Sequence, residues 1–325
     1  MADRTTAGAS AEAVRRLVSG YDGPGIERQV STDQSNLSIA VDERVLVKWL
    51  REPAEPSDFA TLERLRQRGF THMPRFIGRL LEDGRVVAVA NELVVGATDG
   101  WQWFVDDVLG WIDGTRPLGS LVDTAAAMGR ITAELHDALA PPVASAGSLA
   151  GTRARVSALA DRAFELQDPL LRSHRREIEA ALALLDGHDT AVLQPIHGDL
   201  HAGQFLRAGV DGALLLTDFD DDPMTAPEER LRVQPIERDV ASLVQSLDHV
   251  ARVAAKRRPG TDVEPFVGAA IDACLDAYRA AHVLDDDLLW PLRVAQELHE
   301  YVYAATRLPV WGYVPQAALG RMFPG

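Results

Sequence analysis

The stretch "HGDLHAGQ", from His197 to Gln204, is followed by "TDFD", whose Asp218 lies nineteen residues past Asp199. A strand-like run, "ALLL", leads into that second aspartate. An aspartate, an amide and a second aspartate at this spacing have two readings. They are a solvated acidic surface loop, or they are the polar centre of an active site. The segments on either side decide between the two.

Working outward, "AVLQPI" before the stretch and "ALLLTDF" after it read as two short strands, and the rest of the C-terminal part reads as helices. "DTAAAMGRITAELHDALA" starts at an Asp cap and stops before Pro141. A long amphipathic stretch covers Arg153 to Leu185, and "RPGTD" from Arg258 breaks the later helices. The N-terminal part differs. "AEAVRRLVSG" is a short helix with Ser10 as its N-cap and Gly20 at its end, and "IERQV" is a first strand. "LSIAVDERVLVKWL" reads as a hairpin turning near Asp42 and Glu43. A helix, "SDFATLERLRQRG", starts at Ser57 or Asp58 and ends at Gly69. "PRFIGRLLEDGRVVAVANELV" gives two more strands turning at "EDG". A small antiparallel sheet with one inserted helix, followed by a large helical region, is an α+β pattern with two lobes. The expected division is 1–95 and 96–325, with a hinge near Glu92 to Gly96.

Composition excludes more than it selects. The 325 residues suffice for two or three units with cores of their own. Hydrophobic residues make up 46% and charged residues 25%, an ordinary globular balance. The longest apolar run, "VVAVANELVV" from Val86, is interrupted by Asn91 and Glu92, so no membrane span is expected. The polar start, "MADRTTAGAS", lacks a signal-peptide core, and a cytoplasmic protein is expected. A net charge of −15 argues against a broad nucleic-acid surface and suits a cationic small molecule. The single cysteine, Cys274, excludes a disulfide framework and reads as a core residue.

Phosphoryl transfer needs a carboxylate to orient the attacking hydroxyl, oxygen ligands for Mg²⁺, a cation on the nucleotide phosphates and a loop to cover them. The chain offers each in the order used by protein-kinase-like enzymes. "HGD" resembles the kinase catalytic loop, with Asp199 as the base. Gln204 stands at the spacing where kinases carry a metal-binding Asn, and Asp218, in "DFD", matches the DFG aspartate that bridges metal and phosphate. Lys48, alone among apolar neighbours in a strand, points away from Val47 and Trp49. Glu63 on the next helix is expected to pair with it. There is no G-x-G-x-x-G. The equivalent position holds "DQSNLS" from Asp33, where Ser35, Asn36, Ser38 and the backbone N–H groups would grip phosphate oxygens. Without an "APE" motif or an activation loop, the expected acceptor is a small molecule.

"DQSNLS", "GATDGW", "TAELHDALA", "HGDLHAGQFL", "LLTDFDDDP" and "ERDVASLVQSLDH" together resemble the actinobacterial maltokinase-like group of the aminoglycoside-phosphotransferase and eukaryotic-like kinase superfamily, over roughly Val30 to the C-terminus. The resemblance implies a bilobal protein-kinase-like fold, ATP as donor, Mg²⁺ as metal and a sugar or aminosugar hydroxyl as acceptor. It implies Mg-ATP between the lobes, with adenine held by backbone near Glu92 and Val94. Asp239 of "ERDV" is expected to cap a helix or support the catalytic loop, His197 to support that loop, and His201 to face the acceptor.

The last helix bears on which acceptor. In "QELHEYVYAATRLPVW", Val294, Leu298, Val302 and Ala305 form a core face. Glu297 and Glu300 are one turn apart, so their carboxylates can converge, and Trp311 follows Pro309 as an aromatic platform. Alternatively, Glu300 is solvated and Glu297 pairs with Arg293. The segment resembles the signature of bacterial glucosamine kinases, which implies an ammonium clamp of Glu297 and Glu300 and phosphorylation of D-glucosamine at its 6-hydroxyl. Maltokinase, aminoglycoside-antibiotic kinase with an acidic rim at Asp220 to Asp222, and a nucleotide-binding pseudokinase are the alternatives. The expected partners are an aminosugar and ATP, without nucleic acid or membrane, for a monomer or weak dimer.

Overall fold

Alternating small and β-branched residues in the first hundred positions form strands, and the longer 3.6-residue patterns after them form helices. The structure, a computed structural model, describes residues 8–30, 36–143, 145–208, 212–219 and 233–324. In chain order the elements are α1 (Ala9–Leu17), β1 (Glu27–Gln29), β2 (Asn36–Val41), β3 (Val45–Ala54), α2 (Ala60–Arg68), β4 (Phe76–Glu82), β5 (Arg85–Glu92) and β6 (Ala97–Thr98). They continue with α3 (Gly100–Ile112), α4 (Leu118–Leu139), β7 (Ala146–Ser148), α5 (Ala150–Glu165), α6 (Pro169–Ser173), α7 (Arg175–Ala183), β8 (Thr190–Gln194), β9 (Phe205–Ala208) and β10 (Leu214–Leu216). The last are β11 (Gln234–Pro235), α8 (Glu237–Arg257), α9 (Glu264–Arg279), α10 (Asp286–Thr306) and α11 (Tyr313–Met322).

The chain divides into two compact units, Met1–Thr98 with Leu206–Asp220, and Asp99–Phe205 with Asp221–Gly325. The first crossing falls between Thr98 and Asp99. The return of Leu206–Asp220 to the first unit was not anticipated. Its cause is backbone pairing: Ala208 and Arg207 of β9 pair with Ala97 and Thr98 of β6, and Leu216 N–H donates to His72 O at 2.8 Å.

The first unit holds an antiparallel sheet in the order β1-β2-β3-β5-β4. The β2–β3 turn puts Asp42 and Glu43 in the left-handed region, at φ 53° and 50°. Asp42 offsets that cost by accepting from Gly25 N, Ile26 N and the Tyr21 hydroxyl. Val45, Val47 and Trp49 point to one face, where α1 packs through Ala11, Ala13 and Val14. Ser10 is not the cap of α1. It lies inside the helix and its hydroxyl accepts from Trp49 Nε1 at 2.9 Å. The orphan N–H groups of Gly8 and Ala11 instead donate to the Glu27 carboxylate of β1. The helix is thus pinned to the sheet by a carboxylate distant in sequence, and it covers the sheet face opposite Lys48.

The second unit is helical, with a small β7–β8–β11 sheet. α8 is its axis: nearly every side chain from Asp239 to Ala251 is buried, and α3, α9, α10 and α11 pack around it. α4 lies against α9 closely enough that a Cβ on Gly129 would sit 2.2 Å from the Cys274 carbonyl oxygen. Cys274 is buried there, as expected, and burial pushes its thiol up to about 12. No helix among the described residues is long and apolar enough to cross a membrane.

Gly129→Ala is expected to destabilise the protein by about 1–3 kcal/mol, because the clash is with backbone and outweighs alanine's roughly 1 kcal/mol helix preference. A urea titration would show a lowered midpoint; an unchanged or raised midpoint would contradict this packing.

Candidate active site

In the first unit, alternation on β3 places Lys48 opposite Ser38 of β2 and Val89 of β5, so these three share one sheet face. Lys48 Nζ pairs with Asp218 Oδ1 at 3.2 Å. Asp218 follows β10 with φ 56°, a left-handed conformation that aspartate tolerates better than most residues. The pairing expected between Lys48 and Glu63 does not form. Glu63 bonds Arg66 and Gln67 on its own helix, and the Arg66 guanidinium holds its carboxyl below the usual range. The reason is local: i+3 and i+4 neighbours lie within reach on α2, while Asp218 supplies the countercharge to Lys48.

Glu92 ends β5, exposed and paired with Arg75 at 3.2 Å, and its N–H donates to Arg75 O. Val94 follows, its carbonyl accepting from Ala97 N–H at 3.2 Å. Ser35, the side chain of Asn36 and the run Asp220 to Asp222 lie outside the described residues.

In the second unit, the catalytic-loop candidate is held from α8. Asp239, 1% exposed, accepts from His197 N–H at 2.7 Å and Gly198 N–H at 2.9 Å. His136 Nε2 of α4 lies 3.1 Å from the same carboxylate, and its Nδ1 is 2.7 Å from the Tyr278 hydroxyl. Burial pushes Asp239 up, but the His136 hydrogen bond and charge and the loop N–H groups outweigh it and hold the carboxyl below its usual range. Further along the loop, Ala202 N–H donates to Ser246 Oγ at 2.8 Å. α3 presses on this loop so closely that a Cβ on Gly100 would meet Ala202 O at 1.7 Å. Gln204 Nε2 lies 3.4 Å from Asp199 Oδ2 and 3.3 Å from His201 Nε2.

Beside Asp199 the second unit forms an open-sided cavity of about 880 Å³. His201, Trp101, Ser246, His249, Glu300 and Trp311 line the part relevant here. Trp101 stacks on His201 at 5.7 Å and meets Trp311 edge-on at 5.5 Å. Glu300 accepts from Trp311 Nε1 at 3.0 Å and Gln296 Nε2 at 3.3 Å. Glu300 and Trp311 therefore stand together on the cavity wall. Glu297 does not: it is fully buried, and its Oε1 accepts from Gln245 Nε2 and bonds His249 Nε2, both at 2.6 Å. The 100° turn per residue puts Glu297 toward α8 while Glu300 faces the cavity, so the two carboxylates do not converge and the expected two-carboxylate clamp does not form. The alternative pairing of Glu297 with Arg293 is not observed either; Arg293 Nε donates to Gln245 Oε1.

Sequence reading missed His249, Ser246 and Gln245. A signal was present: Asp239, Ser242, Ser246 and His249 recur at helical spacing, a polar stripe along an otherwise apolar helix. Trp101 carried no comparable signal. Among the described residues no group of three or more His, Cys, Asp or Glu side chains could hold a metal ion. Kinase Mg²⁺ needs none, since it binds through one or two carboxylates and the phosphates.

No protein-family model matches the chain. A glucosamine kinase of Streptacidiphilus jiangxiensis is 38% identical over 92% of this chain and 74% of its own length. A glucosamine kinase of Mycolicibacterium smegmatis is 35% identical over 90% of this chain and 78% of its own. A solved glucosamine kinase in complex with glucosamine, ADP and inorganic phosphate superimposes with a TM-score of 0.84 at 33% identity, covering 98% of this chain and 83% of that one.

Asp239→Asn is expected to destabilise the protein by about 3 kcal/mol by unpairing a buried charge network. The depressed folded pKa sets the sign. The carboxylate's contribution is present in full above the unfolded value of about 3.9 and is lost as pH falls through the folded value. The difference between wild type and variant should be constant from about pH 5 to 8 and shrink below about 4, measured by denaturant unfolding. Equal stability at neutral pH would contradict the network.

Proposed function

The chain belongs to the glucosamine kinase family, and we propose that it transfers the γ-phosphoryl group of ATP to the 6-hydroxyl of D-glucosamine. The observation that carries this reading is the cavity beside Asp199, with Glu300 and Trp311 together on its wall. An aminosugar presents an ammonium and an apolar ring face. A carboxylate and the indole whose N–H holds it offer a partner to each, whereas an uncharged sugar brings that carboxylate no countercharge.

Asp199 accepts a hydrogen bond from the 6-hydroxyl and takes its proton as the sugar oxygen bonds to the γ-phosphorus. The bond from that phosphorus to the β-phosphate oxygen breaks, and ADP leaves. His201, stacked on Trp101, and Trp311 position the ring. Lys48 steadies the nucleotide phosphates, and Ser38 shares its sheet face. Ser35 and Asn36 are assigned to the phosphates by the sequence pattern, and backbone at Glu92 and Val94 to adenine. Glu63, engaged within α2, is left without a direct role.

Taken singly, Asp218 and Gln204 each carry oxygen chemistry of the kind Mg²⁺ takes. Asp218 has Oδ1 on Lys48 and no partner for Oδ2 among the described residues, and Gln204 offers an amide oxygen, both hard ligands. Asp218 is the first residue we assign to the metal and Gln204 the second. When bound, Mg²⁺ offsets the charge of the phosphates.

Asp199→Asn should retain ATP binding and lose turnover by a factor of about 10² to 10⁴, the usual range for a removed general base. Glu300→Gln should raise KM for glucosamine by roughly tenfold or more with KM for ATP unchanged. Wild-type turnover in the first variant would remove Asp199 as the base. Unchanged acceptor kinetics in the second would remove Glu300 from the acceptor site.

A further inference from the structure

Glu297 is displaced from the acceptor cavity by its burial, yet it touches a residue that lines it. His249 is 2% exposed overall, bonds Glu297 through Nε2 at 2.6 Å, and meets Trp311 edge-on at 6.4 Å. Its other ring nitrogen, Nδ1, has no partner among the described residues. Nor is it one of the buried side-chain atoms left unpaired, and the ring lines the cavity. The carboxylate behind it is itself fixed: Arg293 donates to Gln245, and Gln245 donates to Glu297 Oε1.

Resting on the acceptor reading above, we propose that His249 is a specificity-determining residue that donates Nδ1–H to an oxygen of the sugar, and that Glu297 is a positioning residue that keeps it a donor. An imidazole hydrogen-bonded to a carboxylate through Nε2–H has a second nitrogen of undetermined role. Protonated, Nδ1 donates; neutral, it accepts. A donor there meets a hydroxyl or ring oxygen and rejects an ammonium, which has no lone pair. The aminosugar is then bound in one orientation, its ammonium on Glu300 and an oxygen on His249.

The surroundings favour the donor form. Burial alone would push His249 down, but Glu297, then Glu300 and Asp248, outweigh it and raise it to about 9. From the other elements around α8, Arg293 stands on α10 against Gln245, and Arg321 of α11 lies 4.0 Å from Asp248. Arg252 and Glu264 are paired with each other, with Asp248 and Arg321 as their further partners. Asp107 of α3 is paired with Arg116. His201 and Asp199 face the cavity from the catalytic loop. The cations near His249 are thus each held by a carboxylate or amide, and Glu297 is the countercharge in direct contact.

The test is steady-state kinetics with ATP and glucosamine in the wild type, His249→Gln and Glu297→Gln, from pH 6 to 9.5, with imidazole NMR of His249. Glucosamine's own amine titrates near ~8 and divides out, since it is common to all three. In the wild type, corrected KM should be flat and rise only as pH approaches 9, and the His249 resonance should titrate there. His249→Gln should raise KM for glucosamine roughly 10- to 100-fold at every pH, with kcat and KM for ATP near wild type, the range for a hydrogen bond to a charged group. Glu297→Gln should raise KM at pH 8 and recover as pH falls toward 6, when the imidazole regains its proton. A simply damaged fold would not give that recovery. An active wild type with unchanged KM in His249→Gln, or a His249 titrating at or below its ordinary value, would overturn the inference alone. A wild type inactive on glucosamine would overturn the acceptor reading and this inference with it.

Discussion

The Asp239 carboxylate is almost wholly removed from water and is surrounded by three donors, the N–H groups of His197 and Gly198 and the ring of His136. A buried charge persists only when its lone pairs are matched, so the loop carrying Asp199 cannot shift without exposing an unpaired charge. Tyr278 of α9 fixes the far side of His136, and Ser246 of α8 takes the next turn of the loop at Ala202. α4, α8 and α9 therefore act through a few hydrogen bonds on a backbone segment eight residues long. The close fit of Gly129 to Cys274 and of Gly100 to Ala202 keeps the helices near enough for those bonds.

The same helix carries the loop's anchor and part of the wall of the cavity beside Asp199. Asp239, Ser242, Ser246 and His249 run along one face of α8, a repeat that spans roughly 15 Å at 1.5 Å per residue. One end of the stripe holds the loop; the other meets Glu297, Trp311 and the cavity. Position on the helix thus ties the loop that carries Asp199 to the cavity beside it through one element.

The sheet strands were legible because each alternates and each turn is signalled, at Asp42 and Glu43 and at "EDG". The helices followed their periodicity in place but not in bounds: α4 begins at Leu118 rather than at an Asp cap, and Arg153 to Leu185 is divided among α5, α6 and α7. What remained hidden depends on contacts distant in sequence. Glu27 caps α1 across the sheet in place of Ser10, and Asp218 rather than Glu63 answers Lys48. The return of Leu206–Asp220 to the first unit depends on pairing with residues more than a hundred positions earlier. Glu297 and Glu300 looked equivalent at one turn's separation, yet a 60° difference in direction put one in the core and the other on the cavity. Asp239's support of the loop and the place of Asp199 and Trp311 on one cavity were within reach of the sequence, because motif spacing and an aromatic after a helix break are local signals.

The central claim is that a phosphotransferase of this family acts here on an amino sugar. It is tested most directly by ATP consumption with Mg²⁺ on glucosamine, N-acetylglucosamine, glucose, maltose and kanamycin, with phosphorus NMR of each product. The account predicts efficient turnover of glucosamine alone and a phosphate ester on its primary hydroxyl oxygen. Turnover of maltose or kanamycin in preference, or of glucose as readily as glucosamine, would contradict it.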